Sequence, residues 1–144
     1  VAPIGGGGMI SGTCLTLASL APTTKIFAAE PKNADDAFRS FKAGRIIEDD
    51  APQTVADGLK VSLRERTFHF VSTYVSDILL VTEDEIVAAM RLVWQRMKIV
   101  IEPSSAVAVA AVLKNPGLFA GRRVGVILTG GNVDLDKLPW IARA

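Results

Sequence analysis

Four consecutive glycines, Gly5, Gly6, Gly7 and Gly8, stand between the apolar run 1–4 and a periodic apolar stretch that opens at Met9. Glycine gives up more backbone freedom on folding than any other residue, so a run of four needs a reason. Without Cβ atoms the backbone N–H groups can converge on an anion, and a helix starting at Met9 adds its dipole at the same point. That arrangement is a phosphate cradle. A flexible tight turn is the other use of such a run. The run lacks the Lys-Ser/Thr pair of a nucleotide P-loop and the GxGxxG spacing of a dinucleotide fold, so its chemistry is phosphate binding without nucleotide hydrolysis.

Glu30, Asp35 and Asp36 form a second constellation. Hard cations take oxygen ligands of this kind, carboxylates completed by a backbone carbonyl and waters. Acids beside a helix start also serve the helix dipole, and the residues alone leave both uses open. A third feature is Thr129-Gly130-Gly131-Asn132. A hydroxyl there can hydrogen-bond a ring nitrogen of a cofactor while the glycines allow close approach, and a plain strand-ending turn is the alternative. His69 between two phenylalanines, Cys14 on an apolar helix face, and Trp94 and Trp140 read as packing residues.

These features need elements to hold them. Residues 1–4 read as the end of a buried strand and 5–8 as a turn. Residues 9–20 read as a helix ended by Pro22, and 25–29 (KIFAA) as a strand closed by Glu30-Pro31. Residues 33–42 fit a helix, followed by a loop rich in Gly, Asp and Pro, and 54–63 a further helical segment. Residues 77–81 (DILLV) form a strand. Thr82 and Glu85 make a capping box for the helix carrying Ile86, Ala89, Met90, Val93, Trp94 and Met97. Pro103 and Ser104 open a small-residue helix to about Leu113, and residues 123–128 form a last buried strand before Thr129. Strands alternating with helices give an α/β fold with a mainly parallel sheet, whose ligands lie beyond the carboxyl ends of the strands.

Composition narrows the classes. Among 144 residues, 16 basic and 15 acidic ones leave a net charge of +1, which gives no general grip on nucleic acid or an anionic membrane. One cysteine excludes an internal disulfide framework and suits a cytoplasmic setting. One histidine excludes sites needing two His ligands from this chain. No apolar run reaches the length of a membrane span. The opening Val1-Ala2-Pro3-Ile4 reads as the interior of something longer, one half of a two-part protein.

Six segments, in order, resemble the serine racemase and threonine/serine dehydratase family, pyridoxal-phosphate (PLP) enzymes of the tryptophan-synthase-β type, fold type II. They are PIGGGGMISG (Pro3 to Gly12), AAEPKNADD (Ala28 to Asp36), TVADGL (Thr54 to Leu59), VTEDEI (Val81 to Ile86), RMKIVIEPSSAVAVAAVL (Arg96 to Leu113) and GVILTGGNVDL (Gly125 to Leu135). The likeness covers nearly the whole chain, and only the second half of the family's longer one. It implies that residues 1–144 are part of the PLP-binding large domain, with the small domain and N-terminal half supplied elsewhere, and that the enzyme is a homodimer. It implies that Gly5, Gly6, Gly7, Gly8 and Met9 hold the cofactor phosphate. Thr129 stands where the family usually has a Ser facing the pyridine nitrogen. The resemblance further implies a divalent-cation site (Mg²⁺, Ca²⁺ or Mn²⁺) from Glu30, the Ala34 carbonyl and Asp36. Lys98 and Asn132 match positions lining a nucleotide effector pocket in some racemases, and Val61 stands near a Ser that faces substrate in animal racemases.

The family's Schiff-base lysine and its substrate-carboxylate loop lie in the first half. Lys25, Lys32, Lys42, Lys60, Lys98, Lys114 and Lys137 all fall outside that lysine motif, so no catalytic residue is assigned here and the chain alone should be inactive. The expected reaction of the complete protein is dehydration of L-serine or L-threonine to a 2-oxo acid and ammonia. Serine racemisation and 3-hydroxyaspartate dehydration are the alternatives. A non-catalytic half that binds PLP or phosphate is the rival of a different class.

Overall fold

A computed structural model of the chain describes residues 1–141. Three short apolar segments become a parallel sheet: β1 (Ala2–Pro3), β2 (Ile26–Pro31) and β3 (Val75–Val81), in the order β1-β2-β3. Ala2 pairs with Ala28, and Glu30 with Leu80. Parallel neighbours need a crossover each. The first is α1 (Gly8–Leu20); the second holds α2 (Asp36–Ala43) and α3 (Glu65–Tyr74). After β3 come α4 (Glu83–Met97), α5 (Pro103–Lys114) and the short α6 (Pro116–Phe119).

Alternation along the strands divides the core in two. Ile26, Ala28 and Ile78 face Ile10 and Cys14 of α1, Ala37 of α2 and Val71 of α3. Ala29 and Val81 face Ile86, Met90 and Val93 of α4 and Ala106, Val107 and Ala110 of α5. Helices cover both faces, the doubly wound arrangement that a continuous apolar strand requires. Small residues let α5 lie close, so it is buried on almost every side. Cys14 and Trp94 pack as their settings indicated: Cys14 is fully buried, and Trp94 meets Trp140 edge to face at 5.4 Å.

Four expectations are corrected. Residues 54–63 form no helix beyond one 3₁₀ turn at Asp57–Leu59. The Thr54 hydroxyl takes the Ala56 N–H at 3.1 Å and the Asp57 carboxylate takes the Gly58 N–H at 2.9 Å, local bonds that compete with a helix. The helix falls instead at α3, whose β-branched and aromatic residues conceal it from propensity. The helix foreseen over 33–42 is divided into a 3₁₀ turn at Lys32–Ala34 and α2, because Glu30 fixes where α2 starts, as shown below. His69 is exposed on α3 rather than partly buried.

The strand expected at 123–128 is reduced to one point of parallel pairing. Val1 N donates to Gly125 O at 2.7 Å and Ile127 N donates to Val1 O at 3.0 Å. Those two bonds place this segment beside Val1, just before β1 and on the side of it away from β2.

Candidate active site at the carboxyl edge of the sheet

Parallel strands bring their carboxyl ends to one edge. Gly5–Gly8 follow β1, Glu30 to Asp36 follow β2, Thr82 to Glu85 follow β3, and Thr129 to Asn132 follow the segment beside Val1. This is the edge where open α/β sheets place their ligands.

At the first loop, Gly7 is the N-cap of α1 with φ +79°, and no side chain caps the helix. The first-turn N–H groups of Gly8, Met9 and Ile10 therefore have no intrahelical partner and meet no other acceptor among the described residues. The buried Ser11 hydroxyl donates to Gly7 O at 2.6 Å and holds the turn closed. Three unspent donors at a helix start, with its dipole behind them, suit a dianion.

The glycines serve two purposes. A Cβ on Gly5 would lie 2.9 Å from Leu59 Cα, and one on Gly7 would lie 2.6 Å from Leu63 Cδ2 and 2.9 Å from Thr67 Cβ. A Cβ on Gly6 would press on Val61 Cγ1 at 3.3 Å. These three glycines are needed because residues 59–67 roof the loop. Gly8 differs: a Cβ there meets nothing within 4 Å. It alone opens to space an anion can fill.

At the last loop the glycines also make room for protein. A Cβ on Gly130 would reach Glu102 Oε1 at 2.6 Å, and one on Gly131 would reach Val100 O at 2.6 Å. Sequence reasoning passed over Ser105, fully buried near the start of α5. Its oxygen accepts the Thr129 N–H at 2.5 Å and the Gly130 N–H at 3.2 Å, and lies 3.4 Å from the Thr129 hydroxyl oxygen. Beside it, Ser104 Oγ accepts the Gly58 N–H at 3.0 Å, tying α5 to the roof. Two adjacent serines opening an otherwise aliphatic helix were the available signal.

At the second loop Glu30 is 1% and Asp36 4% exposed. Glu30 Oε1 accepts from Ala37 N at 2.9 Å and Oε2 from Phe38 N at 2.8 Å, so this carboxylate caps α2 from the preceding strand. Burial pushes its carboxyl up to about 9, against the pull of those two bonds, and the nearby Asp36 and Asp35 charges push the same way. Burial likewise raises Asp36, opposed by the Ser62 hydroxyl. Asp35 turns away to Arg39 Nε at 2.7 Å. Among the described residues no three His, Cys, Asp or Glu side chains gather as a metal cluster. Glu30 and Asp36 are two buried carboxyl groups at this corner, and both Glu30 oxygens are taken by N–H groups of α2.

Lys98 ends α4 in the left-handed region at φ 59°, its ammonium on Gln95 O at 2.8 Å, and Asn132 is exposed. No hydrogen bond joins them. The Cys14 thiol is raised by burial and lies in the core, away from chemistry. A clamp that sequence reasoning missed is Glu83, whose Oε2 accepts from Thr54 Oγ1 at 3.1 Å and Val55 N at 2.7 Å. It fastens the TVADGL segment to the start of α4.

A family model described as "Pyridoxal-phosphate dependent enzyme" matches residues 1–130. The chain belongs to this PLP-dependent family. Within it, the likeness is to the dehydratases and racemases. The chain is 69% identical over 140 residues, 97% of its length, to the β-hydroxyaspartate dehydratase of Paracoccus denitrificans (strain Pd 1222), and spans 44% of that protein. It is 49% identical over 147 residues to the serine racemase of Dictyostelium discoideum, covering 98% of this chain and 45% of that one. The structure of maize serine racemase superposes with a TM-score of 0.89 at 39% identity, covering 94% of this chain and 43% of the other. The fold is that of the fold-type-II PLP enzymes, and the chain spans about 44% of the length of the curated relatives it matches.

Proposed function

We propose that the complete protein eliminates the hydroxyl of a 3-hydroxy amino acid to give a 2-oxo acid and ammonia, with 3-hydroxyaspartate as its preferred substrate. The observation that carries this reading is the 69% identity to a β-hydroxyaspartate dehydratase across 97% of the chain. It puts that substrate ahead of serine and threonine. Serine racemisation is the second reading, supported by the 49% identity to the Dictyostelium enzyme.

The residues at the sheet edge fit PLP. The free N–H groups of Gly8, Met9 and Ile10 would hold the phosphate, with Gly8 leaving its side of the cradle open. Anchoring by a remote phosphate holds the reacting end in place without adding charge there. Thr129, kept in position by Ser105, would meet the ring nitrogen with a neutral hydroxyl. When bound, PLP supplies the electron sink for the carbanion formed at the substrate Cα. The chain's contribution is to bind, orient and tune.

Glu30, the Ala34 carbonyl and Asp36 would hold Mg²⁺, Ca²⁺ or Mn²⁺. Support comes from two buried carboxyl groups at one corner, with no Lys or Arg buried among the described residues. The ion would brace the corner from β2 to α2 rather than join the chemistry.

The lysine and the rest of the site would come from the remainder of the polypeptide, for which the free edge of residues 123–128 is a receptor. With Gly125 O and Ile127 N turned to Val1, strand alternation turns the N–H and C=O groups of Val124, Val126 and Leu128 to the open side. They bond to nothing among the described residues. Val-Gly-Val-Ile-Leu is the uninterrupted apolar run of a strand covered on both sides, here left with Val124 and Ile127 exposed.

The test is steady-state kinetics of the complete protein on 3-hydroxyaspartate, L-serine and L-threonine, following oxaloacetate, pyruvate, 2-oxobutanoate and D-serine. A higher kcat/KM for 3-hydroxyaspartate than for either other amino acid supports the reading. Higher kcat/KM for serine, with D-serine the main product, would transfer it to racemisation. PLP binding with no turnover of any of them would make this a non-catalytic binding half.

A further inference from the structure

We propose that Lys60 is a specificity-determining residue whose ammonium binds the second carboxylate of a 3-hydroxyaspartate substrate. This rests on the reading above, in which 3-hydroxyaspartate reacts at the carboxyl edge of the sheet. It names the group in this chain that separates that substrate from serine and threonine.

The three amino acids differ in charge. 3-Hydroxyaspartate carries a carboxylate on Cβ where serine carries a hydrogen and threonine a methyl group. A site that encloses this extra charge needs a cation or strong donors for it. The first-turn N–H groups of α1 are assigned to the cofactor phosphate, and the loop Gly5–Gly8 contains no basic side chain.

The roof supplies the cation. Residues 58–63 cross from one end of the cofactor site to the other. At the ring end the Gly58 N–H donates to Ser104 Oγ at 3.0 Å, next to the Ser105 that holds the Thr129 and Gly130 N–H groups. At the phosphate end Leu59 Cα and Val61 Cγ1 stand 2.9 and 3.3 Å from where Cβ atoms on Gly5 and Gly6 would lie. Lys60 lies between these anchors. Consecutive Cα atoms are about 3.8 Å apart, so Lys60 Cα is within about 7 Å of the Cβ point on Gly5. Its flexible four-carbon stem covers a distance of that order.

Lys60 is also unspent. Its side chain is exposed and makes no ion pair or hydrogen bond among the described residues. Asp57, the nearest acid in sequence, turns Oδ1 to the Gly58 N–H at 2.9 Å. Arg64, the next cation along the roof, is bound to Glu48 Oε1 at 2.7 Å. Arg66 belongs to α3, past the stretch that stands over Gly5 and Gly6. The Lys98 ammonium is on Gln95 O at 2.8 Å. An unpaired ammonium midway along the site attracts an anionic substrate, and a net charge of +1 for the chain adds no general attraction that would mask it.

The experiment compares parent, Lys60→Met and Lys60→Arg as complete holoenzymes. KM and kcat are measured for 3-hydroxyaspartate and L-serine at ionic strengths from about 0.01 to 0.15 M, where the screening length falls from about 30 to 8 Å. PLP affinity and melting temperature are measured alongside. Lys60→Met should keep the parent's melting temperature, PLP affinity and KM for L-serine, and raise KM for 3-hydroxyaspartate at least about tenfold. Lys60→Arg should recover most of that loss. Rising salt should lower the parent's kcat/KM for 3-hydroxyaspartate and not for serine, and Lys60→Met should weaken this dependence. An unchanged KM for 3-hydroxyaspartate in Lys60→Met would overturn the role of Lys60, while a parent that still prefers 3-hydroxyaspartate keeps the proposed reaction. Equal losses on both substrates, or weaker PLP binding, would also overturn it, because Lys60 would then serve the part common to all substrates or the cofactor phosphate. A parent that does not favour 3-hydroxyaspartate would remove the reading and the role of Lys60 together.

Discussion

Gly7 and Gly8 are adjacent, yet the same substitution should have opposite consequences at the two. At Gly7 an alanine takes on a left-handed φ of +79° and collides with Leu63 and Thr67, so Gly7→Ala should cost about 2–5 kcal/mol of stability in a denaturant titration. At Gly8 a side chain meets open space. Gly8→Val should leave the melting temperature within a few degrees of the parent while weakening PLP binding at least about tenfold, or about 1.4 kcal/mol. Equal PLP affinity in Gly8→Val and parent would show that the phosphate is not held there. Lys98 supplies a third contrast. A non-glycine residue at φ 59° ending a helix carries strain that glycine relieves, so Lys98→Gly should stabilise the protein by about 1 kcal/mol. Destabilisation would mean that the Lys98 side chain matters more than its backbone.

Elements meet here through a few carboxylates. Glu30 caps α2 from β2, and Glu30→Ala would leave the Ala37 and Phe38 N–H groups without partners, a loss of about 2–5 kcal/mol in thermal unfolding. Glu30→Gln separates capping from metal binding, since it keeps one acceptor oxygen and loses the charge. If the cation reading holds, Mg²⁺ should raise the melting temperature of the parent and not that of Glu30→Gln. Glu85 closes the capping box on Thr82 and takes Lys114 Nζ at 2.8 Å, joining α4 to α5. Burial pushes its carboxyl up, but the Lys114 ammonium and the Thr82 bonds outweigh that and hold it below the usual range. A depressed carboxylate adds stability above its unfolded pKa and loses it as pH falls through the lower folded value. Melts of parent and Glu85→Gln should therefore differ at neutral pH and converge as the pH drops below about 4. A difference that persists in acid would assign the effect to packing.

That box was legible in sequence because Thr82 and Glu85 bond within one turn. The glycine loop was legible for the same reason, as a local pattern. What the local pattern hid was the reason for three of the four glycines, since Leu59, Val61 and Leu63 reach them from more than fifty positions away. Ser105 was hidden likewise: its partners lie 24 and 25 residues on, and no periodicity marks them. The helix placed at 54–63 failed because Thr54 and Asp57 hold the backbone in turns, while α3 has the β-branched content of a strand.

For the whole molecule, the open edge beyond β1 is the feature that most needs a partner. In the complete protein the amides of Val124, Val126 and Leu128 should be protected from hydrogen exchange to the same degree as those of β2. Rapid exchange at all three would show that no strand docks there. The described residues contain no helix long and apolar enough to cross a membrane, and the two packed faces of the sheet account for the core. The arrangement therefore stands or falls on whether its carboxyl edge receives the cofactor phosphate at the start of α1. A crystal structure of the complete holoenzyme decides this most directly. Phosphate oxygens at about 2.7–3.2 Å from the backbone nitrogens of Gly8, Met9 and Ile10 are the predicted result. A phosphate held by other residues, with the Gly5–Gly8 loop making no contact to it, would contradict the account.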